Sequence, residues 1–272
     1  MEGSAQTVAR YTGENMDVIE AMHCHRSIRK YKPDPVSETI LSEILAAGIR
    51  ASSSGNMQSY SIIVTRDRNI REQLHAPHME QSMVLDAPIL VTFCADFNRM
   101  RKWLRVNEAP DNFDNIMSFM IAAIDATLVS QNVALAAESK GLGICYLGST
   151  LANCNQIGKI LSLPQGVFPV VGFTVGYPDE DPALRDRLPL EGLVHNEVYQ
   201  DYNDEQIGEI YRDRDVKGWE RYMKIPWLRH MVEESGVENL AQIYTMLKYT
   251  PESHQKFSET VLDYLKKQDF MR

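Results

Sequence analysis

Cysteine is sparse in this chain of 272 residues: Cys24, Cys94, Cys145 and Cys154 stand far apart, with no C-x-x-C pair. That spacing excludes a disulfide framework and a cysteine-based zinc site, and it leaves buried free thiols as the expected state. Long runs of like charge are also missing, and the net charge of −9 argues against a nucleic-acid partner. The N-terminus has no apolar signal-like segment, and no stretch is read as a bilayer span of roughly 20 apolar residues. A cytoplasmic protein without membrane contact is therefore expected. No G-x-G-x-x-G follows a strand, and neither a Walker motif nor a G-x-S-x-G elbow occurs. His23 and His25, two apart, fall on different faces of a helix, which speaks against a metal site. The acidic pairs Asp179-Glu180 and Glu233-Glu234 read as solvated. A chain with no obvious nucleophile or acid/base pair needs a cofactor to carry chemistry, and supplies anchoring and electrostatics itself.

What the chain does have is an alternation of helical and strand patterns. Val18, Ile19 and Met22 recur at helical spacing and lead into His25-Arg26-Ser27-Ile28-Arg29, where two arginines three apart would share a helix face as an anion clamp. Pro33-Asp34-Pro35 breaks that helix. Ser37 is placed to cap the next one, with Val36 and Leu41 as a hydrophobic staple and Ile40, Leu41, Ile44, Leu45 and Gly48 as its inner stripe. A serine-rich loop, residues 51–58, precedes a strand over 60–65; it reads equally as a linker or as the lining of a polar ligand site. A second strand over 88–95 is apolar on both faces. Asn98 to Asp114 reads as a surface excursion. From Ile116 to Ser139 nearly every face is apolar, so the helix should be buried all round, in a core or against a second subunit, and its many alanines favour the subunit interface. Asp125 inside it is either a paired buried carboxylate or a residue facing a polar seam. Gly141-Leu142-Gly143 ends that helix. A strand over 144–147, a helix near 153–161 and a strand over 167–176 follow. Beyond residue 204 the chain is charged and helical, divided at Gly236 and Pro251, with Ile207, Ile210 and Tyr211 on one face and Val261, Leu262 and Leu265 as a last stripe. The sum is an α/β or α+β sheet with helical layers.

Five stretches in order, His25-Arg26-Ser27-Ile28-Arg29, Ser52-Ser53-Ser54-Gly55-Asn56-Met57-Gln58, Phe93 to Arg99, Ala136 to Gly143 and Arg187-Leu188-Pro189, resemble the FMN-dependent nitroreductase superfamily, in particular its oxygen-insensitive NADPH nitroreductase and flavin reductase P branch. The resemblance covers roughly Met16 to Tyr202 and recurs faintly at Leu262 to Leu265. It implies a mixed sheet flanked by helices and an intertwined homodimer with two FMN sites at the subunit interface. The residues themselves read as a loose arm over 1–14, with Gly3, Ser4, Thr7 and Gly13, and as a helical C-terminal extension over 204–272 that is expected to pack on the core; the resemblance makes 15–203 an α+β flavin-binding core.

By position, the resemblance assigns His25, Arg26, Ser27 and Arg29 to the flavin phosphate and pyrimidine edge, where a cation stabilises the negative charge that reduced flavin gathers. Ser52, Ser54 and Gln81 would line the ribityl chain and ring, Leu147, Gly148 and Ser149 the turn near flavin N5, and Arg185 and Arg187 the phosphate. Ser149 stands where the branch commonly has a second glycine, Arg185 where it commonly has lysine, and Lys224 to Glu252 has no counterpart. The implied activity is two-electron reduction of nitroaromatics, quinones or flavins by NAD(P)H in a ping-pong cycle. A specialised flavin reductase or reductive dehalogenase is the second reading, and a flavin-binding protein without turnover the third. Arg212, Arg214 and Lys217 match basic residues that read the NADPH 2′-phosphate, although Asp213 and Asp215 between them could instead favour NADH.

Overall fold

The computed structural model describes residues 17–271; the arm expected over 1–14 lies outside them. Helix α1, Val18–Cys24, starts at Asp17, whose side chain accepts from the Ile19 amide. It stops at Cys24, so the arginine clamp is not helical as expected. Ser27 instead bridges Ile144 in parallel, the Ile28 amide donates to the Ile144 carbonyl at 2.8 Å, and Tyr31 bridges Pro178. Burial of Ile28 against Gly143 outweighs the helical spacing: a Cβ at Gly143 would stand 2.5 Å from Ile28 Cγ1. Helix α2, Glu38–Gly48, begins on Ser37 as expected, with Val36 and Leu41 both buried beside it.

Strand β1, Tyr60–Thr65, helix α3, Arg68–His75, and strand β2, Ile89–Asp96, follow. Strand β2 is buried at every position, as its apolar run requires. Asn98–Val106 lies on the surface as expected, with no buried residue, but is folded as helix α4. Met100, Trp103 and Leu104 fall at helical spacing along it, and long-range contacts secure it: Arg101 donates to the Phe113 and Asp269 carbonyls, and Phe97 at its start stacks on Phe113.

Helix α5, Ile116–Ser139, strand β3, Gly143–Tyr146, helix α6, Cys154–Ile160, and strand β4, Val167–Gly176, complete the core. The sheet order is β1-β2-β4-β3 with every neighbouring pair antiparallel, and the parallel contact is the Ser27–Ile144 bridge. Ile44, Val129, Val133, Phe93 and Phe173 form the seam between α2, α5 and the sheet. Helix α5 is not buried all round within the chain. Met117, Met120, Ile124 and Leu128 leave an exposed stripe along it, the opposite face packing on the core. By length and composition α5 could cross a membrane, contrary to the sequence expectation that no stretch reaches that length.

The chain forms two compact units, one running to Ala183 and resuming at Phe257, the other Leu184–Lys256. The second unit holds helix α7, Asp204–Met223, and helix α8, Pro226–Ser235, which ends on left-handed Gly236. It has its own core of Tyr222, Leu228, Val232, Val237, Leu240 and Ile243, while Ile207 and Tyr211 on the expected apolar face are exposed. The last helix, α9, spans Pro251–Lys267. Its buried face is Tyr264, Leu265 and the following Gln268, and Leu262 lies off that face, exposed.

Candidate cofactor site

Pairing with β3 fixes the backbone of the basic segment, and acidic side chains hold it from outside. His25 Nδ1 lies 2.7 Å from Glu138 Oε1 at the end of α5, and Glu138 Oε2 is buried without a hydrogen-bond partner. Arg26 pairs with Asp181. Glu180, expected to be solvated, accepts from the amides of Arg29 and Lys30. Arg26 Nε is buried and unpartnered.

At the far end of β3, the Leu147 amide donates to Gly172, and Gly148 faces open space. Ser149 Oγ lies 2.9 Å from His78 Nδ1 and 3.4 Å from Gln81 Nε2, and the same Gln81 nitrogen donates to the His78 carbonyl at 2.8 Å. Burial pushes His78 down to about 4, which keeps its imidazole neutral. Burial likewise pushes the Cys145 thiol up, against the pull of Arg29 and Ser27. Thus Ser27, Leu147, Gly148, Ser149 and Gln81 are tied through one strand and its flanks.

The serine loop has a separate anchor. Asp125 accepts from Ser53 Oγ at 2.6 Å, the Ser54 amide at 3.0 Å and Ser59 Oγ at 3.0 Å. It is therefore the paired buried carboxylate of the two sequence readings. Gly55, Asn56 and Gln58 adopt positive φ, a tight conformation that these anchors hold in place. Ser52 and Ser54 are exposed, and Ser53 and Ser59 do the anchoring. Between this loop and α4 lies a cavity of about 550 Å³ lined by Gln58, Asp96, Arg99, Met100 and Trp103.

Arg185 and Arg187 belong to the second unit and flank Asp186, which is 7% exposed and pairs with both Arg214 and Arg221. Burial pushes that carboxyl up, but its own backbone amide, Arg221 and Arg214 together hold it below the usual carboxylate range. The three cations expected to read a nucleotide phosphate do not converge: Arg212 pairs with Glu209 and Lys217 with Asp213, both exposed, and Arg214 turns to Asp186.

A match to the nitroreductase family model spans residues 24–177. This chain belongs to the nitroreductase family. It is 36% identical to the oxygen-insensitive NADPH nitroreductase of Salmonella typhimurium, covering 72% of this chain and 83% of that protein. It is 31% identical to the FMN reductase [NAD(P)H] of Bacillus subtilis, over 81% and 97% of the two chains. A solved structure from Bacteroides fragilis superposes with a TM-score of 0.85 at 40% identity, covering 93% of this chain and 99% of that one.

The side chains of this family member suit a phosphorylated flavin. Arg26 has a buried donor with no partner, Gly148 leaves backbone open to a flat ring, and the serine loop offers hydroxyls. Glu138, His78 and Asp125 support this set from behind, yet none stands among the sequence-derived site residues. Glu138 lies inside the stretch Ala136 to Gly143 that resembles the family. For His78 no local pattern gave a signal, because its partner Ser149 is remote in sequence.

Proposed function

We propose that this chain is an NAD(P)H-dependent oxidoreductase that works with FMN as a cytoplasmic homodimer and reduces nitroaromatics, quinones or flavins by two-electron transfer. Bound FMN would accept a hydride from the nicotinamide and deliver two electrons to the acceptor. The observation that carries the reading is the unpartnered Arg26 Nε in a basic segment hydrogen-bonded to β3, the strand that leads into Leu147, Gly148 and Ser149. His25, Arg26, Ser27 and Arg29 bind the cofactor's phosphate and pyrimidine edge. Ser52, Ser54 and Gln81 line its chain and ring, Leu147, Gly148 and Ser149 the ring near N5, and Arg185 and Arg187 the phosphate. Glu138 orients the His25 ring, and the neutral His78 holds the Ser149 hydroxyl. Residues 15–203 form the flavin-binding core and 204–272 the helical extension. Arg212 and Lys217, paired only on the exposed surface, remain the cations for an NADPH 2′-phosphate.

The test is anaerobic. NADPH added to the purified yellow protein should bleach the bound flavin, and a nitroaromatic or quinone should restore its colour. A flavin that stays oxidised under NADPH and NADH alike would leave a non-catalytic flavin-binding protein.

A further inference from the structure

The loop of Arg185, Asp186 and Arg187 carries two cations around a carboxylate that turns into the protein. Asp186 is 7% exposed, with Oδ2 3.3 Å from Arg214 Nη1 and Oδ1 3.3 Å from Arg221 Nη1. Both guanidinium groups are themselves braced. Arg214 Nη2 donates to the Tyr244 hydroxyl at 3.0 Å, and Arg221 lies 5.4 Å from the centre of the Tyr222 ring. Lys248 Nζ donates to the Tyr222 hydroxyl at 2.8 Å and stands 4.8, 5.6 and 5.5 Å from the rings of Tyr222, Tyr244 and Tyr249. The result is a socket for one carboxylate, built by α7 and the π-helical segment Ile243–Lys248.

The loop that plugs into it has no regular structure from residue 180 to 189. Arg187 Nη1 donates to the Asp186 carbonyl at 3.0 Å and to the Arg185 carbonyl at 3.4 Å, closing the loop on itself. A segment with so few backbone bonds of its own keeps one conformation only if something outside it does the holding. Two arginines on one partly shielded carboxylate, one to each oxygen, hold it more firmly than a single surface pair would, because both contacts are charge-assisted.

We infer that Asp186 is the positioning residue of the phosphate clamp: seated between Arg214 and Arg221, it fixes the backbone that presents Arg185 and Arg187 to the FMN phosphate. The inference rests on the reading that Arg185 and Arg187 hold that phosphate. It gives Arg214 a role different from the one its sequence position suggested, since its guanidinium is engaged by Asp186 and Tyr244. It also ties the stretch Lys224 to Glu252 to the loop's anchor, through Tyr244 and Lys248.

The experiment compares FMN with riboflavin, which has the same ring and ribityl chain but no phosphate. The full-length chain is freed of flavin, and the affinity for each ligand is measured by quenching of flavin fluorescence in wild type, D186N, D186E, R221Q, R185A/R187A and R185A/D186N/R187A. D186N should lose roughly tenfold or more of its FMN affinity while riboflavin affinity stays within about twofold, the size expected for weakening a charge-assisted contact. R221Q should show a smaller loss of the same kind, and D186E should recover part of the preference. Adding D186N to R185A/R187A should change nothing further, because the clamp it positions is gone. An unchanged FMN-to-riboflavin ratio in both D186N and R221Q overturns the inference, and so does an equal loss for both flavins, which marks a purely structural residue. A wild type with no preference for FMN over riboflavin would instead overturn the phosphate assignment of Arg185 and Arg187.

Discussion

Asp125 and His78 show how single buried polar groups secure the site. Asp125 is 1% exposed and every partner it has is a donor from one loop, so Asp125→Ala leaves the Ser53, Ser54 and Ser59 donors unmatched. The expected loss is ~3 kcal/mol in urea unfolding, with a smaller loss for Asp125→Asn. An unchanged unfolding midpoint would show that water satisfies the loop equally well. His78 gives a pH signature. Its folded value of about 4 lies below the ordinary 6.5, so the unfolded chain takes up the proton first. Its contribution is complete above the ordinary value and is lost as pH falls from about 6.5 towards about 4, by ~3 kcal/mol in total. His78→Gln should flatten that part of the stability profile, and a profile identical to wild type would contradict the burial argument.

Among the elements, helix α5 carries an exposed apolar stripe along one face. Met117, Met120, Ile124 and Leu128 recur at helical spacing and are 64%, 49%, 52% and 42% exposed in the single chain. We propose that this stripe is where a second copy packs, since a contiguous apolar stripe is unfavourable against water. Light scattering of the wild type is expected to give twice the 31.0 kDa chain mass. Ile124→Glu with Leu128→Glu places two charges on the stripe without touching the buried face, and should shift the mass to that of one chain. A flavin-loaded monomer in the wild type would refute the dimer. Helix α1 teaches the opposite lesson about periodicity. Its apolar residues Val18, Ile19 and Met22 do form a helix, yet all three are exposed, and the arginines that follow leave the helix to join the sheet edge.

At the scale of the whole molecule, the choice of reductant is the property with the least local signature. Arg212→Ala with Lys217→Ala should raise KM for NADPH and leave KM for NADH and the FMN content nearly unchanged, since both side chains are exposed and bonded only to near neighbours on their own helix. Equal effects on the two nucleotides would remove these residues from 2′-phosphate recognition. The sequence by itself determined the elements whose cause is local. Ser37 caps α2, the apolar run of β2 is buried on both faces, Gly141 and Gly236 end their helices, and the ordered motifs announce the family. Only the tertiary structure decided that Arg26 leaves the helix, that Asp125 holds the serine loop, that Glu138 meets His25 and that Asp186 takes Arg214 away from its neighbours. The physical reason is sequence distance. A cap or a stripe is set within one or two turns of chain, whereas a buried charge finds its partner wherever folding places a donor in a site that excludes water.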